Sequence, residues 1–262
     1  MLFTDCYYYI ILINMTSTNI IKSKNHGLKI VRIILIKVTE LLFPKRCIGC
    51  GIFGVNLCYQ CASEIELIRT STCPECGKLT LRYQFCDKCR KRQALSLRAI
   101  IVAAHYKSPH IKEMIYELKY NGITGLSDTL GELLYQSAKN INSGKNPIIT
   151  AVPLSRRKEK TRGFNQSKMI AEKAGKRLCI PYLDLLQRRL NTKPQSGLRR
   201  TARIENVHNA FSFSRENPDI SGRSIFLVDD ITTTHATLNE CAKVLRENGA
   251  REVIGLVVAK NI

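Results

Sequence analysis

Acidic residues are scarce in this chain of 262 residues: 21 Asp and Glu stand against 41 Lys and Arg, for a formal charge of +20. The surplus points to polyanions, either nucleic acid or phosphorylated small molecules, with a solubility surface as the bland alternative. Also missing is any uninterrupted apolar run of the ~20 residues that a membrane-spanning helix needs. Ile30 to Phe43 comes nearest, but Lys29, Arg32, Lys37 and Glu40 interrupt it on one helical arc, as in an amphipathic helix that packs on a core. No basic segment precedes the first apolar residues, so nothing reads as a secretory signal. Internal repeats are absent too. With 44% hydrophobic residues the chain is not a disordered one. A cytoplasmic globular protein without an integral membrane segment remains.

The order of patterns sets the organisation. Residues 1–28 read as a poorly structured N-terminal extension, with Met15 an alternative start, and 29–46 as the amphipathic helix, stopped near Pro44. Residues 47–92 carry the cysteines, and from 97 to 262 apolar runs alternate with helical patterns. Ala99–Ala104, Pro147–Pro153, a short stretch near Tyr182-Leu183, Ser224–Val228 and Val253–Val258 read as strands. Helices are expected over Ile111–Leu118, around Leu130–Leu134, over Gln166–Leu178 and around Leu238–Leu245. Arg188 to Asn209 reads as a long loop. Alternation of this kind calls for an α/β domain, a mostly parallel sheet covered by helices on both faces.

Eight of the 11 cysteines fall in four Cys-x-x-Cys pairs: Cys47/Cys50, Cys58/Cys61, Cys73/Cys76 and Cys86/Cys89. A two-residue gap lets both sulfurs of a tight turn reach one tetrahedral metal, and two such turns fill its shell. The pattern is that of two structural Zn²⁺ sites with four cysteine ligands each. Redox dithiols normally come singly on a βαβ framework. Sequential and cross-braced pairing both satisfy the spacing. Cys179 and Cys241 are expected to pack as small apolar groups.

Strand Ile225–Val228 runs into Asp229-Asp230-Ile231-Thr232-Thr233-Thr234-His235-Ala236-Thr237 and then a helix. The end of a parallel strand before a helix N-terminus is where free N–H groups receive phosphate, and threonine hydroxyls add donors there. Two acids beside them suit sugar hydroxyls, or a Mg²⁺ that accompanies a diphosphate. A merely capped helix start would use the same residue types.

The stretch resembles the phosphoribosyl diphosphate (PRPP) loop of type I phosphoribosyltransferases. From about Leu41 onward the chain is similar to the ComF family, which pairs a double zinc ribbon with such a domain. The resemblance rests on Leu-Phe-Pro before the cysteines, Cys-Pro-x-Cys-Gly and Leu118-Lys119-Tyr120. It rests also on Val152-Pro153-Leu154, Arg162-Gly163-Phe164-Asn165-Gln166, and Gln195 ahead of Arg199 and Arg203. It implies that Asp229 and Asp230 hold ribose hydroxyls. Thr233, Thr234 and Thr237, with His235 and Ala236 in the same loop, would hold the 5-phosphate, and the turn after Val152-Pro153 would face pyrophosphate. His235 departs from the pattern, which has glycine there; weaker or altered binding is the expectation, against an imidazole that contacts the phosphate itself.

Between Thr150 and Arg203 lie fifteen basic residues and three acids. Arg156, Arg157, Lys158, Arg162, Arg199 and Arg200 are the candidates to neutralise pyrophosphate or follow a nucleic-acid backbone. The ComF resemblance implies single-stranded DNA as a partner during natural transformation, and a competence helicase beside it. The alternative is a salvage or biosynthetic phosphoribosyltransferase that uses PRPP and Mg²⁺.

Overall fold

In the computed structural model the described residues are 44–92, 95–142, 144, 146–189, 207–214 and 218–261. The N-terminal extension, the amphipathic helix up to Phe43, and both Arg199 and Arg200 lie outside them. The chain forms two compact units, Met1–Glu64 and Ile65–Ile262.

In the first unit Arg46 bridges Phe53 in antiparallel fashion, and its guanidinium lies 4.2 Å from the centre of that ring. The turn between them is closed by Gly51 N–H donating to Cys47 O at 2.8 Å. Gly51 has φ +77°, which glycine adopts without a Cβ penalty. The short helix α1 (Tyr59–Ser63) completes the knuckle, with Cys58 as its N-cap.

The second unit begins with a matching knuckle. Thr72 bridges Leu79, Gly77 N–H donates to Cys73 O at 2.9 Å, and α2 (Asp87–Arg92) carries the last cysteine. Bridges Leu67–Ala104 and Gln84–Ala99 fasten this ribbon to the edge of the sheet.

That sheet has four parallel strands in the order β1 (Ala99–His105), β6 (Glu252–Lys260), β5 (Ser224–Thr232), β2 (Ile148–Ala151). Between β1 and β2 run α3 (Pro109–Tyr116), a π-helical turn Glu117–Asn121, and α4 (Leu126–Ala138). After β2 come α5 (Arg156–Arg162) and α6 (Gln166–Leu178). A small antiparallel pair follows, β3 (Leu186–Arg188) and β4 (Phe211–Phe213), and α7 (Ala236–Glu247) links β5 to β6.

The strands are buried on both faces, so they read as unbroken apolar runs rather than alternating ones. One face joins Ile225, Leu227, Val253 and Val257 to Leu238, Cys241, Ala242 and Leu245 of α7 in a single cluster. On the other, α6 approaches so closely that a Cβ on Gly175 would stand 2.7 Å from Ile149. The parallel sheet with two covered faces is therefore as expected, and so is the helix over Gln166–Leu178. The strand expected at Tyr182-Leu183 is a single bridge from Tyr182 to Ile149. Cys241 is fully buried, but Cys179 is exposed. It occupies the left-handed C-cap of α6 at φ +57°, where the chain turns out of the helix.

Candidate phosphate cleft and metal centres

Two adjacent acids, Asp229 and Asp230, lie near the C-terminal end of β5. Asp230 is 5% exposed, and its carboxylate contacts Nζ of Lys119 from the π-helical turn. Gln166 Nε2 also reaches Asp230 Oδ2, at 3.4 Å, and the Ile231 amide donates to its Oδ1 at 2.9 Å. Asp229 receives the Ser167 hydroxyl at 3.0 Å and the Asp230 amide at 2.9 Å, both on Oδ1. Burial, then the charge of Asp230, push the Asp229 carboxyl up to about 8, against the pull of Lys119 and Ser167.

The start of α6 is built to reach this corner. Asn165 caps the helix by accepting from the Ser167 and Lys168 amides, while its own Nδ2 donates to Val152 O at 3.0 Å. The cap thus ties the helix to the end of β2, and it sets Gln166 and Ser167 facing the acids. Arg162 contacts Gln166 Oε1 through Nη1.

Around the acids opens a cleft of about 330 Å³. Asp229, Asp230, Thr233 and Thr237 line it, as do Val152 to Ser155 and the cations Lys119, Lys158, Arg162 and Arg188. Partial enclosure lowers the Lys158 pKa, and the positive charges of Arg188, Arg162 and Lys119 lower it further. Enclosure alone accounts for the downward shift of Arg188. Lys158 thus feels three neighbouring cations, a repulsion that an anion entering the cleft would offset.

Of the loop residues named from sequence, Thr234, His235 and Ala236 do not line the cleft. Arg156 and Arg157 are exposed on α5, also away from it, and Phe164 is half-buried outside it. Lys119, Gln166, Ser167 and Arg188 line the cleft but are not among the site residues expected from sequence. Lys119 and Gln166 lie within the family motifs Leu118-Lys119-Tyr120 and Arg162-Gly163-Phe164-Asn165-Gln166, whereas no local pattern marks Ser167 or Arg188.

His235 has φ +59° and ψ +2°, the left-handed conformation, just before α7. A residue other than glycine pays roughly 1–2 kcal/mol there. The imidazole is 5% exposed and both ring nitrogens are engaged: Nδ1 with Thr232 Oγ1 and Nε2 with Pro74 O, each at 3.0 Å. Phe85 meets the ring edge-on, 6.3 Å between centroids. Two buried hydrogen bonds, each contributing about 1 kcal/mol, offset the backbone cost.

The cysteines gather as Cys47, Cys50, Cys58, Cys61 and as Cys73, Cys76, Cys86, Cys89, with the sulfurs of each group within 4.8 Å of one another. Pairing is therefore sequential. A tetrahedral zinc with sulfurs at about 2.3 Å needs them just under 4 Å apart, and Cys50–Cys58 and Cys76–Cys86 stand at 3.5 and 3.6 Å. Although burial opposes it, backbone amides bring the Cys47 thiol down to about 6 and the Cys73 thiol to about 7. Burial and the neighbouring thiols push Cys61 and Cys89 up instead, so a zinc ion would have to displace protons from those two as it binds. Each group offers four protein ligands and so fits a closed, structural zinc site.

A parallel sheet with a cation-lined cleft at its strand ends, carried together with two four-cysteine groups, defines a zinc-ribbon α/β protein. Residues 38–91 match the double zinc ribbon domain. Competence protein F of Haemophilus influenzae is 33% identical over 221 residues, which cover 80% of this chain and 95% of that protein. Competence protein ComFC of Streptococcus pneumoniae is 31% identical, over 75% of this chain and 84% of its own length. DNA utilization protein YhgH of Escherichia coli is 30% identical, over 76% and 87%. The chain belongs to the competence protein F and ComFC family. Among solved structures, a glutamine PRPP amidotransferase from B. subtilis is similar at 21% identity and TM-score 0.34, over 50% of this chain and 25% of that one. A hypoxanthine phosphoribosyltransferase from Staphylococcus aureus is similar at 11% identity and TM-score 0.33, over 52% and 63%.

Proposed function

We propose that the cleft binds a ribose 5-phosphate group, free or as PRPP, and that the protein handles incoming single-stranded DNA in the cytoplasm as an accessory to DNA uptake. The observation that carries the phosphate reading is the convergence of Lys119, Lys158, Arg162 and Arg188 on one cleft that also contains the acid pair. Sugar hydroxyls donate to Asp229 and Asp230, while the phosphate meets Thr233, Thr237 and the cations. Lys119 already neutralises Asp230, so ribose binding there does not require Mg²⁺.

A second feature supports the DNA reading. Tyr116 and Tyr120 are 51% and 67% exposed, one helical turn apart, with ring centroids 4.9 Å from each other. Tyr120 lines the mouth of the cleft, and the Arg162 guanidinium lies 5.7 Å from its ring centre. Exposed aromatics beside a cationic groove are how single strands are held: phosphates on the cations, bases on the rings. The names of the relatives, competence and DNA utilization proteins, agree with this use, and a competence helicase is the partner such a role calls for.

Calorimetry with ribose 5-phosphate and PRPP, and binding of single-stranded oligonucleotides across a salt series, test the proposal. Saturable binding of both, with salt-dependent DNA affinity, is expected. Failure to bind any phosphoribosyl ligand at low salt would sink it. Turnover of PRPP with added nucleobases would instead establish the transferase.

A further inference from the structure

The phosphate loop and the second four-cysteine centre meet at one atom. Pro74 lies inside the first turn of that centre, between Cys73 and Cys76, and its carbonyl oxygen takes His235 Nε2 at 3.0 Å and Lys260 Nζ at 2.6 Å. A carbonyl only accepts, so Nε2 carries the proton. In the neutral imidazole Nδ1 then accepts from the Thr232 hydroxyl. Thr232 and Lys260 are themselves partners in the β5–β6 register, and the Asn261 amide donates to Thr232 O at 3.0 Å. The ends of both strands are thus pinned to the same turn.

His235 sits between Thr233 and Thr237, the two loop threonines that line the cleft. It holds a backbone conformation that side chains other than glycine rarely adopt. Glycine at this position would let the loop find that conformation unaided. Here the conformation is held by a buried side chain whose partner belongs to a metal-binding turn.

We propose that His235 is a positioning residue that couples order in the Cys73–Cys89 centre to the shape of the phosphate loop, so that loss of zinc there weakens the cleft's grip on phosphate. The clause about phosphate rests on the function proposed above; the coupling does not. When the turn around Cys73 and Cys76 relaxes, the Pro74 carbonyl moves. The buried Nε2–H then loses its acceptor, and the loop loses what kept residue 235 left-handed.

The test is amide hydrogen exchange over residues 229–237 in the full chain, zinc-loaded and after zinc removal verified by elemental analysis, in wild type and His235→Gly. Ribose 5-phosphate affinity is measured on the same four samples. In wild type, zinc removal should raise loop exchange about tenfold and weaken ribose 5-phosphate by a similar factor. In His235→Gly both quantities should respond little to zinc. Equal loop protection in wild type with and without zinc, while residues 73–89 lose theirs, would overturn the coupling. So would an undiminished zinc response in His235→Gly. Coupled exchange in a wild type that binds no ribose 5-phosphate would leave the coupling standing and remove only the phosphate reading.

Discussion

Ser167, the second residue of α6, donates its hydroxyl to Asp229 Oδ1 at 3.0 Å, and the Asp230 amide donates to the same oxygen at 2.9 Å. Both are satisfied by one acceptor atom, and an asparagine at 229 keeps that atom. What it removes is the ability to ionise, which burial and Asp230 oppose. The folded-state pKa is raised from 3.8 to about 8. Between those values the unfolded chain has released a proton that the folded protein keeps, so this group makes stability fall as pH rises. Asp229→Asn should therefore be more stable than wild type, by about 1–3 kcal/mol at pH 8. The advantage should shrink toward pH 4. Thermal melts across that range check it, and ribose 5-phosphate affinity should drop in the same variant, the trade of stability for function expected at a binding site.

Lys119 and Asp230 form an ion pair with side chains 16% and 7% exposed. Removal of one partner strands the other, so Lys119→Met should cost about 2–4 kcal/mol. The double variant Lys119→Met/Asp230→Asn should recover much of that loss in denaturant melts while ligand binding stays weak. Additive losses would show that the pair is not coupled.

Lys158 is an exposed cation at the cleft, with its pKa lowered by partial enclosure and by Arg188, Arg162 and Lys119. Lys158→Gln relieves that repulsion without leaving a buried group unpaired. Stability in plain buffer should be unchanged or slightly higher, whereas the rise in Tm on addition of phosphate should be smaller than in wild type. An equal rise in both would place the anion elsewhere.

Tyr116 and Tyr120 separate stacking from charge. The Tyr116→Ala/Tyr120→Ala variant should lose about 1–3 kcal/mol of affinity for single-stranded DNA with its salt slope retained, while Lys158→Gln should reduce the slope by about 1. Filter binding at several salt concentrations distinguishes the two.

Cys76→Ser removes a ligand from the second centre alone. Metal content should fall from two zinc ions per chain toward one, because each group closes its own four-thiolate shell. A fall to zero would mean that the two centres form only together.

The chain's own order of residues was enough for the metal centres, the parallel sheet, and the acidic and threonine-rich loop. Each is a local signal: a two-residue gap brings two sulfurs to one turn, and a strand buried on both faces is apolar throughout. Spacing left the pairing of the knuckles open, and only the closeness of Cys47 to Cys61 and of Cys73 to Cys89 in space settled it as sequential. The cleft's other walls were hidden for the same reason. Lys119 and Asp230 are more than a hundred residues apart, and Ser167 reaches Asp229 because a helix cap at Asn165 happens to be tied to the end of β2. His235 shows the difference most sharply. Sequence marked it as a departure from glycine inside a phosphate loop, but the partner of its imidazole is a carbonyl 161 positions away, and contacts between distant segments exist only once the chain has packed.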